Sequence, residues 1–320
     1  MDDRFWERRL RAAIALRERV VEGTTAYRVV FGEGDLVPGL VVDRYGDVLV
    51  AQMLTAGIDR RKELLIDLLA GLTGARAIYL RNDARSRLRE GLPLYRQFAR
   101  GDAATRIEIA ESGAAFFVDI AGGQKTGWFC DQRENRTALA PFARGARVLD
   151  VFSYSGAFGI HAAIHGATSV LGLDASQDAV ALAQQHAAMN GAADRCAYRA
   201  VNAFDELKAL QQKGERFDLI VLDPPAFART KQAVPDALAG YKEINLRAIR
   251  LLEPDGVLAS CSCSWHVDER MLWAAILDAA QDARRDLRLI EFRSQARDHP
   301  MLAAMPETRY LKCFVLQACS

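Results

Sequence analysis

"RVLDVFSYSGAFGIHAAIHG", Arg147 to Gly166, joins a short apolar run to a helical pattern through a small turn that contains glycine. "RVLDVF" reads as a buried strand and "GAFGIHAAIHG" as the helix after it. The same unit then recurs down the chain. Strand "SVLGLDA" precedes helix "SQDAVALAQQHAAMNG", strand "CAYRAV" precedes helix "AFDELKALQQKG", and strand "FDLIVLD" precedes a long helix around "ALAGYKEINLRAIRLL". "GVLASCS" follows as a fifth strand, then another helix and two last strands, "LRLIEF" and "RYLKCFVLQAC". Strands alternating with helices of about 10–15 residues specify an α/β fold with a parallel, doubly wound sheet, here seven-stranded. Such sheets bind ligands beyond the carboxyl ends of their strands, where the strand order switches.

Upstream the rhythm differs. Trp6, Leu10, Ala13, Leu16 and Val20 recur at helical spacing within residues 1–22. From Tyr27, "YRVVFGEGDLVPGLVVDRYGDVLVAQML" alternates apolar runs with Gly, Asp and Pro, the pattern of strands joined by tight turns. A helix in "DRRKELLIDLLAGL" and strands in "ARAIYLRND" and "TRIEIAESGAAFFVDI" complete a smaller α+β part. The expected domains are therefore 1–120 and 121–320.

The 320 residues are half hydrophobic and about a quarter charged, which specifies a globular chain, long enough for two or three domains each with a sizeable core. The start, "MDDRFWERRLRAAIALRERV", is charged from its second residue and does not read as a signal peptide. No apolar run approaches the ~20 residues that span a bilayer, so no membrane partner is expected. Six scattered cysteines without paired CxxC units argue for reduced thiols in the cytoplasm and against a zinc site; no metal is expected. A net charge of +1 neither demands nor excludes nucleic acid. Arginine is clustered, however: Arg81, Arg85, Arg87, Arg89, Arg96 and Arg100 fall in one span containing Tyr79 and Tyr95. A solvated face explains such a run about as well as RNA does. Planar guanidinium forks beside aromatic rings suit phosphates and bases, making Arg81, Arg85, Arg87 and Arg89 candidate RNA contacts.

Candidate site residues stand where strands end. "DVFSYSGAFG" places Asp150, Phe152, Ser153, Tyr154, Ser155 and Gly156 at a turn where a ligand can approach backbone and helix N-terminus. Ser155, Gly156 and Gly159 do not make G-x-G-x-x-G, which disfavours a dinucleotide and an oxidoreductase. Asp174 ends the second strand, placed to accept the two hydroxyls of an adenosine ribose. Ser176 is free to cap the next helix. Asn202, after the third strand, suits an adenine edge or a turn. "LDPPAF" is more specific. Pro224 and Pro225 fix the backbone and remove two amide donors where Asp223 projects, and the loop continues to Phe227, suiting a planar substrate. In "GVLASCSCSWHV", Cys261 lies within the strand and reads as core. Cys263 comes where the strand gives way, at the edge shared with Asp223, and is open to either a packing or a nucleophilic role. "GGQKTGWFCDQRENR", Gly122 to Arg136, reads as a loop turning into a helix, placed to close over a bound cofactor.

Taken in order, "GQKTGWFCDQRENR", "VLDVFSYSGAFGIHAA", "LGLDAS", "VLDPPAF", "SCSCSW" and "DHPMLAAMPETRYLK" resemble the class I S-adenosylmethionine-dependent methyltransferases that modify cytosine C5 in bacterial 23S ribosomal RNA. "TAYRVVFGEGDLVPGLVVDRYGD" resembles that family's central α+β domain, so the resemblance covers nearly the whole chain. It implies a Rossmann-like methyltransferase fold, S-adenosylmethionine as cofactor, and 23S rRNA or a large-subunit assembly particle as partner, with room for a homodimer. It also implies that Phe152 to Gly156 form the cofactor loop, that Asp174 holds the ribose, and that Lys125, Thr126 and Arg133 lie in the closing segment. Cys263 becomes the nucleophile and Asp223-Pro224-Pro225 its companion motif. Asn202 departs from the aspartate usual near the adenine. The family's N-terminal PUA domain has no counterpart in these residues, so either the arginine face of 1–120 binds the target or the substrate differs. Two other readings are a purine-nitrogen methyltransferase, which shares Asp-Pro-Pro and needs no thiol, and an RNA-binding module that has lost activity.

Overall fold

A computed structural model describes residues 2–228 and 230–319. Backbone packing divides them into two units, one running to Arg133 with the addition of Ala296–Thr308, the other comprising Glu134–Gln295 and the residues from Arg309 onward.

The first unit begins with helix α1 (Asp3–Val20), whose N-cap Asp2 accepts from the Phe5 amide at 3.0 Å. Its buried stripe is Trp6, Leu10, Ala13 and Arg17. The charged member is tolerated because Arg17 makes a two-pronged pair with Asp35, at 2.5 and 2.7 Å, and reaches the Arg28 and Asp298 carbonyls. A five-stranded sheet follows in sequential order: β1 (Ala26–Phe31), β2 (Leu40–Tyr45), β3 (Val48–Met53), β4 (Ala77–Asn82) and β5 (Tyr95–Arg100). Only the β3–β4 pair is parallel, as its crossover requires; the connection contains the short helix α2 (Ala56–Asp59) and the longer α3 (Lys62–Thr73). Single-turn helix α4 (Ser86–Arg89) precedes β5, and β6 (Arg106–Glu111) with β7 (Ala114–Asp119) forms a separate hairpin. The core gathers Leu10, Val30, Leu40, Leu49, Leu65 and Leu80. The sequence places a boundary after residue 120, whereas packing groups 121–133 and 296–308 with this unit. The reason is a buried polar web: Asp298 accepts from the Arg28 amide and from Arg133, and Thr126 donates to Asp43.

The second unit starts within α5 (Arg133–Ala138) and is built on a seven-stranded sheet. In chain order its strands and helices are β8 (Arg147–Val151), α6 (Ala157–Ile164), β9 (Ser169–Asp174), α7 (Gln177–Met189), β10 (Cys196–Ala200), α8 (Ala203–Gln212), β11 (Phe217–Leu222), α9 (Val234–Leu251), β12 (Leu252–Ser262), α10 (Glu269–Ala283), β13 (Leu287–Arg293) and β14 (Lys312–Ala318). The spatial order is β10-β9-β8-β11-β12-β14-β13. Five strands are parallel, as the alternating pattern requires. The sheet departs from the parallel pattern at β14, which is antiparallel to both β12 and β13. No crossover helix separates β13 from β14, and neighbouring strands without one pair antiparallel. The chain winds outward from β8 to β10 and returns to place β11 against β8. The switch in strand order lies between those two, the place where sheets of this kind bind their ligands.

Candidate active site

At the switch, the loop after β8 is held in an unusual backbone path. Phe152 (φ 64°), Tyr154 (φ 46°) and Gly156 (φ 80°) all take left-handed conformations. For the two aromatic residues this is sparsely populated backbone, of the kind found where a loop is shaped around a ligand. The path is pinned by the Ser153 amide on Leu173 O (2.9 Å) and the Gly156 amide on Ser153 O (2.7 Å). Gly156 has no alternative: a Cβ there would stand 2.7 Å from Tyr198 Oη.

Asp174, half-buried at the end of β9, accepts from the Tyr154 amide at 2.9 Å and, through its other oxygen, from the Ser176 amide at 2.9 Å. Ser176, as expected, caps α7 by accepting from the Ala179 amide. Two backbone donors fix the Asp174 carboxylate and leave acceptor capacity on both oxygens, the chemistry needed to hold a ribose diol. Asp150 is buried beneath the loop, with one oxygen accepting from the Gly159 amide at 2.9 Å and the other lacking any hydrogen-bond partner. Burial pushes its pKa up to about 7, and the carboxylates of Asp223 and Asp174 push in the same direction. Ser153 Oγ is likewise buried without a partner. Three converging carboxylates favour a cationic ligand, and two orphaned polar atoms favour a polar one. S-adenosylmethionine, with its sulfonium, amino group and ribose, fits this set.

Asn202 resolves to the cap. Its Oδ1 accepts from the amides of Phe204 (2.9 Å) and Asp205 (3.4 Å), starting α8. What it retains for an adenine is the donating amide group.

From β11, Asp223 projects half-buried, its amide donating to Val151 O at 3.3 Å. Pro224 is buried and Pro225 exposed. The Cys263 thiol, half-buried, donates to the Pro224 carbonyl with Sγ and O 3.8 Å apart. Cys261 is fully buried in the core beside Cys313, Ala259 and Val315. The turn carrying Cys263 is fastened by hydroxyls that the sequence reading did not single out. Ser262 Oγ donates to Tyr241 Oη (2.8 Å), Tyr241 bonds Ser264 Oγ (2.9 Å), and Ser264 Oγ accepts from the Ala228 amide (3.2 Å). One network therefore ties the Asp-Pro-Pro loop to Ser-Cys-Ser. Phe227 packs 4.7 Å from the Tyr241 ring, between Phe152 and Phe204, so its ring supports the loop. Trp265, 62% exposed and stacked against His266, was also overlooked; an aromatic side chain two residues after the thiol was the available signal.

Lys125, Thr126 and Arg133 belong to the first unit. Lys125 pairs with Asp131 (3.2 Å) above the Phe129 ring, Thr126 is buried between Asp43 and Tyr45, and Arg133 pairs with Asp298 at 2.9 Å. Of the four candidate RNA arginines, two are corrected. Arg81 is buried on the Ile120 and Gly123 carbonyls, and Arg87 on the Met53 and Pro93 carbonyls and Asp59, so neither guanidinium is presented outward. Arg85 and Arg89 are exposed, beside the exposed Leu88. Among the described residues there is no cluster of His, Cys, Asp and Glu able to hold a metal, and no helix is long and apolar enough to cross a membrane.

Residues 89–302 match the model of a family described as S-adenosylmethionine-dependent methyltransferase. The chain is 41% identical over 318 residues to "Ribosomal RNA large subunit methyltransferase I" of Aeromonas salmonicida, covering 98% of this chain and 80% of the relative. It is 42% identical to the protein of the same name from Shewanella amazonensis, covering 98% and 81%. In fold it is similar to a methyltransferase solved in complex with SAH (TM-score 0.87, 22% identity, covering 99% of this chain and 82% of the other). A second similar fold is a SAM-dependent methyltransferase from Agrobacterium tumefaciens (TM-score 0.65, 17% identity, covering 94% and 91%).

Proposed function

The chain belongs to the S-adenosylmethionine-dependent methyltransferases, in the family of the large-subunit ribosomal RNA methyltransferases I, and on that premise we propose that it forms 5-methylcytosine in 23S rRNA with Cys263 as nucleophile. The observation that carries the reading is the 3.8 Å contact between Cys263 Sγ and the Asp-Pro-Pro carbonyl, at the carboxyl ends of adjacent strands β12 and β11.

Cytosine C5 is a weak nucleophile until C6 carries an electron-donating adduct. The Cys263 thiolate adds to C6, forming an S–C bond, while Asp223 donates a proton or hydrogen bond to N3, and C5 becomes enamine-like. When bound, S-adenosylmethionine supplies an electrophilic methyl group on a sulfonium. After C5 is methylated a base removes its proton, the S–C6 bond breaks, Cys263 leaves as thiolate, and any proton taken up at N3 returns to Asp223, so that neutral 5-methylcytosine is released. The carboxylates of Asp174 and Asp150 and the amide group of Asn202 would hold the cofactor. The target base must be out of its stack, so the RNA is single-stranded or locally opened. Arg85 and Arg89 supply phosphate contacts from the first unit, and the cytoplasm is the place of action.

RNA carrying 5-fluorocytidine tests this, because fluorine at C5 cannot leave as a proton and the adduct accumulates. The wild type and Cys261→Ala should form a covalent complex that survives denaturation, and Cys263→Ala should form none and lose turnover. No adduct with wild-type protein on a methylated RNA would reject the cytosine-carbon reaction and leave a purine nitrogen as target.

A further inference from the structure

Among the described residues, the ammonium of the buried Lys312 has no anion in hydrogen-bond contact with it, only neutral carbonyls. Lys312 opens β14 opposite Ser262 and is 5% exposed. Its Nζ donates to Ser264 O at 2.8 Å and to Tyr310 O at 2.9 Å. Both are neutral carbonyls, and an ammonium removed from water with only neutral partners is costly. An ammonium has three donors, so one N–H remains beyond these two. The first carbonyl belongs to the residue immediately after Cys263.

The charges that act on Lys312 come from three directions. Asp268 and Glu269 lie at the start of α10, Arg309 lies just before β14, and Cys263 follows the end of β12. The Tyr241 hydroxyl, from α9, bonds the serines on either side of Cys263. Burial brings Lys312 down to about 8, and the strongest charge keeping its proton on is the Cys263 thiolate. That influence is mutual: a thiolate that favours the ammonium is favoured by it to the same extent.

We propose that Lys312 is the positioning residue for the Cys263 thiolate, clamping the Ser-Cys-Ser turn through the Ser264 carbonyl and supplying the counter-charge against which the thiol ionises. The inference rests on the reading of Cys263 as the nucleophile. The S–H bond breaks, its proton passes to solvent, and sulfur keeps the electron pair beside the ammonium. When the C6 adduct collapses, the thiolate returns to the same partner. The pair exists where the thiol is ionised and fades above about pH 8, where Lys312 loses its proton.

The test is the pH dependence of Cys263 alkylation by iodoacetamide, followed on its own peptide by mass spectrometry. Wild-type protein should inflect below the free-thiol value of about 8.5. Lys312→Met should inflect about one unit or more higher, and Lys312→Arg, which keeps the charge, should stay near wild type. A purely structural lysine would change the melting temperature and leave the inflection in place. The reciprocal arm uses Cys263→Ser, in which acetylation of Lys312 by acetic anhydride near neutrality should rise several-fold as the amine loses its anion. Unmoved inflections, or an unchanged acetylation rate, overturn the proposal. The two readings fail separately: a shifted inflection without a 5-fluorocytidine adduct rejects the cytosine reaction alone, and an adduct with an unmoved inflection rejects the pair alone.

Discussion

Asp150 shows how one side chain couples the site to stability. Its carboxyl is raised to about 7 in the folded chain by burial and by Asp223 and Asp174, against about 3.9 when unfolded. Between those values the native state holds a proton that the unfolded state has released. Stability from this group is therefore present at and below about pH 4 and declines as pH rises toward 7, by up to roughly 3–4 kcal/mol. Asp298 acts with the opposite sign in a different window. Burial alone would raise it, but the His299 ring and the Arg133 guanidinium hold it well below the usual carboxylate range, so its contribution is lost only as pH falls below about 4. Urea midpoints at about pH 5 and about pH 7.5 should differ in the wild type and converge in Asp150→Asn. The same difference between the two midpoints in both proteins would mean that the Asp150 carboxyl is not raised. At this scale the sequence distinguished Cys261 from Cys263 by where the apolar run ends. It could not see Lys312, because a lysine inside "RYLKCFVLQAC" shows its partner only once β14 lies against β12.

The elements of the second unit were legible because each strand is a short apolar run and each helix follows a turn residue, so position at a strand end was readable without coordinates. Direction was not. Nothing in "LRLIEF" or "RYLKCFVLQAC" says which way the strand runs, and β14 turned out antiparallel. Strand β5 was missed altogether, since "YRQFAR" alternates too weakly amid arginines and is only partly buried. Asn202 belongs to this scale, because it is an element's first residue. Removing its Oδ1 leaves two amides of α8 without an acceptor, so Asn202→Ala should cost about 1 kcal/mol by chemical denaturation. Asn202→Asp keeps the cap and should fall within about 0.5 kcal/mol of wild type. A drop in cofactor affinity much beyond the stability loss in Asn202→Ala would show that the retained amide group also touches the adenine.

At the scale of the molecule, what escaped the sequence is the return of 296–308 to the first unit. Arg17 donates to the carbonyl of Asp298, a residue 281 positions later, and no local pattern announces such a bond. The same long-range packing divided the arginine run. Arg81 and Arg87 went inward onto backbone carbonyls, while Arg85 and Arg89 stayed outside. With a formal net charge of only +1, the chain has no overall field to hold RNA, so attraction to phosphate must be local. On the proposal that Arg85 and Arg89 supply phosphate contacts, their removal should then show in the salt dependence of binding more than in the cofactor site. For single-stranded RNA each lost phosphate contact lowers the slope of log K against log salt by about 0.7. The double variant Arg85→Ala, Arg89→Ala should therefore lose up to about 1.4 from that slope and bind RNA several-fold more weakly at low salt, with S-adenosylmethionine affinity unchanged. Superimposable salt curves for the variant and the wild type would place the RNA on another face of the protein.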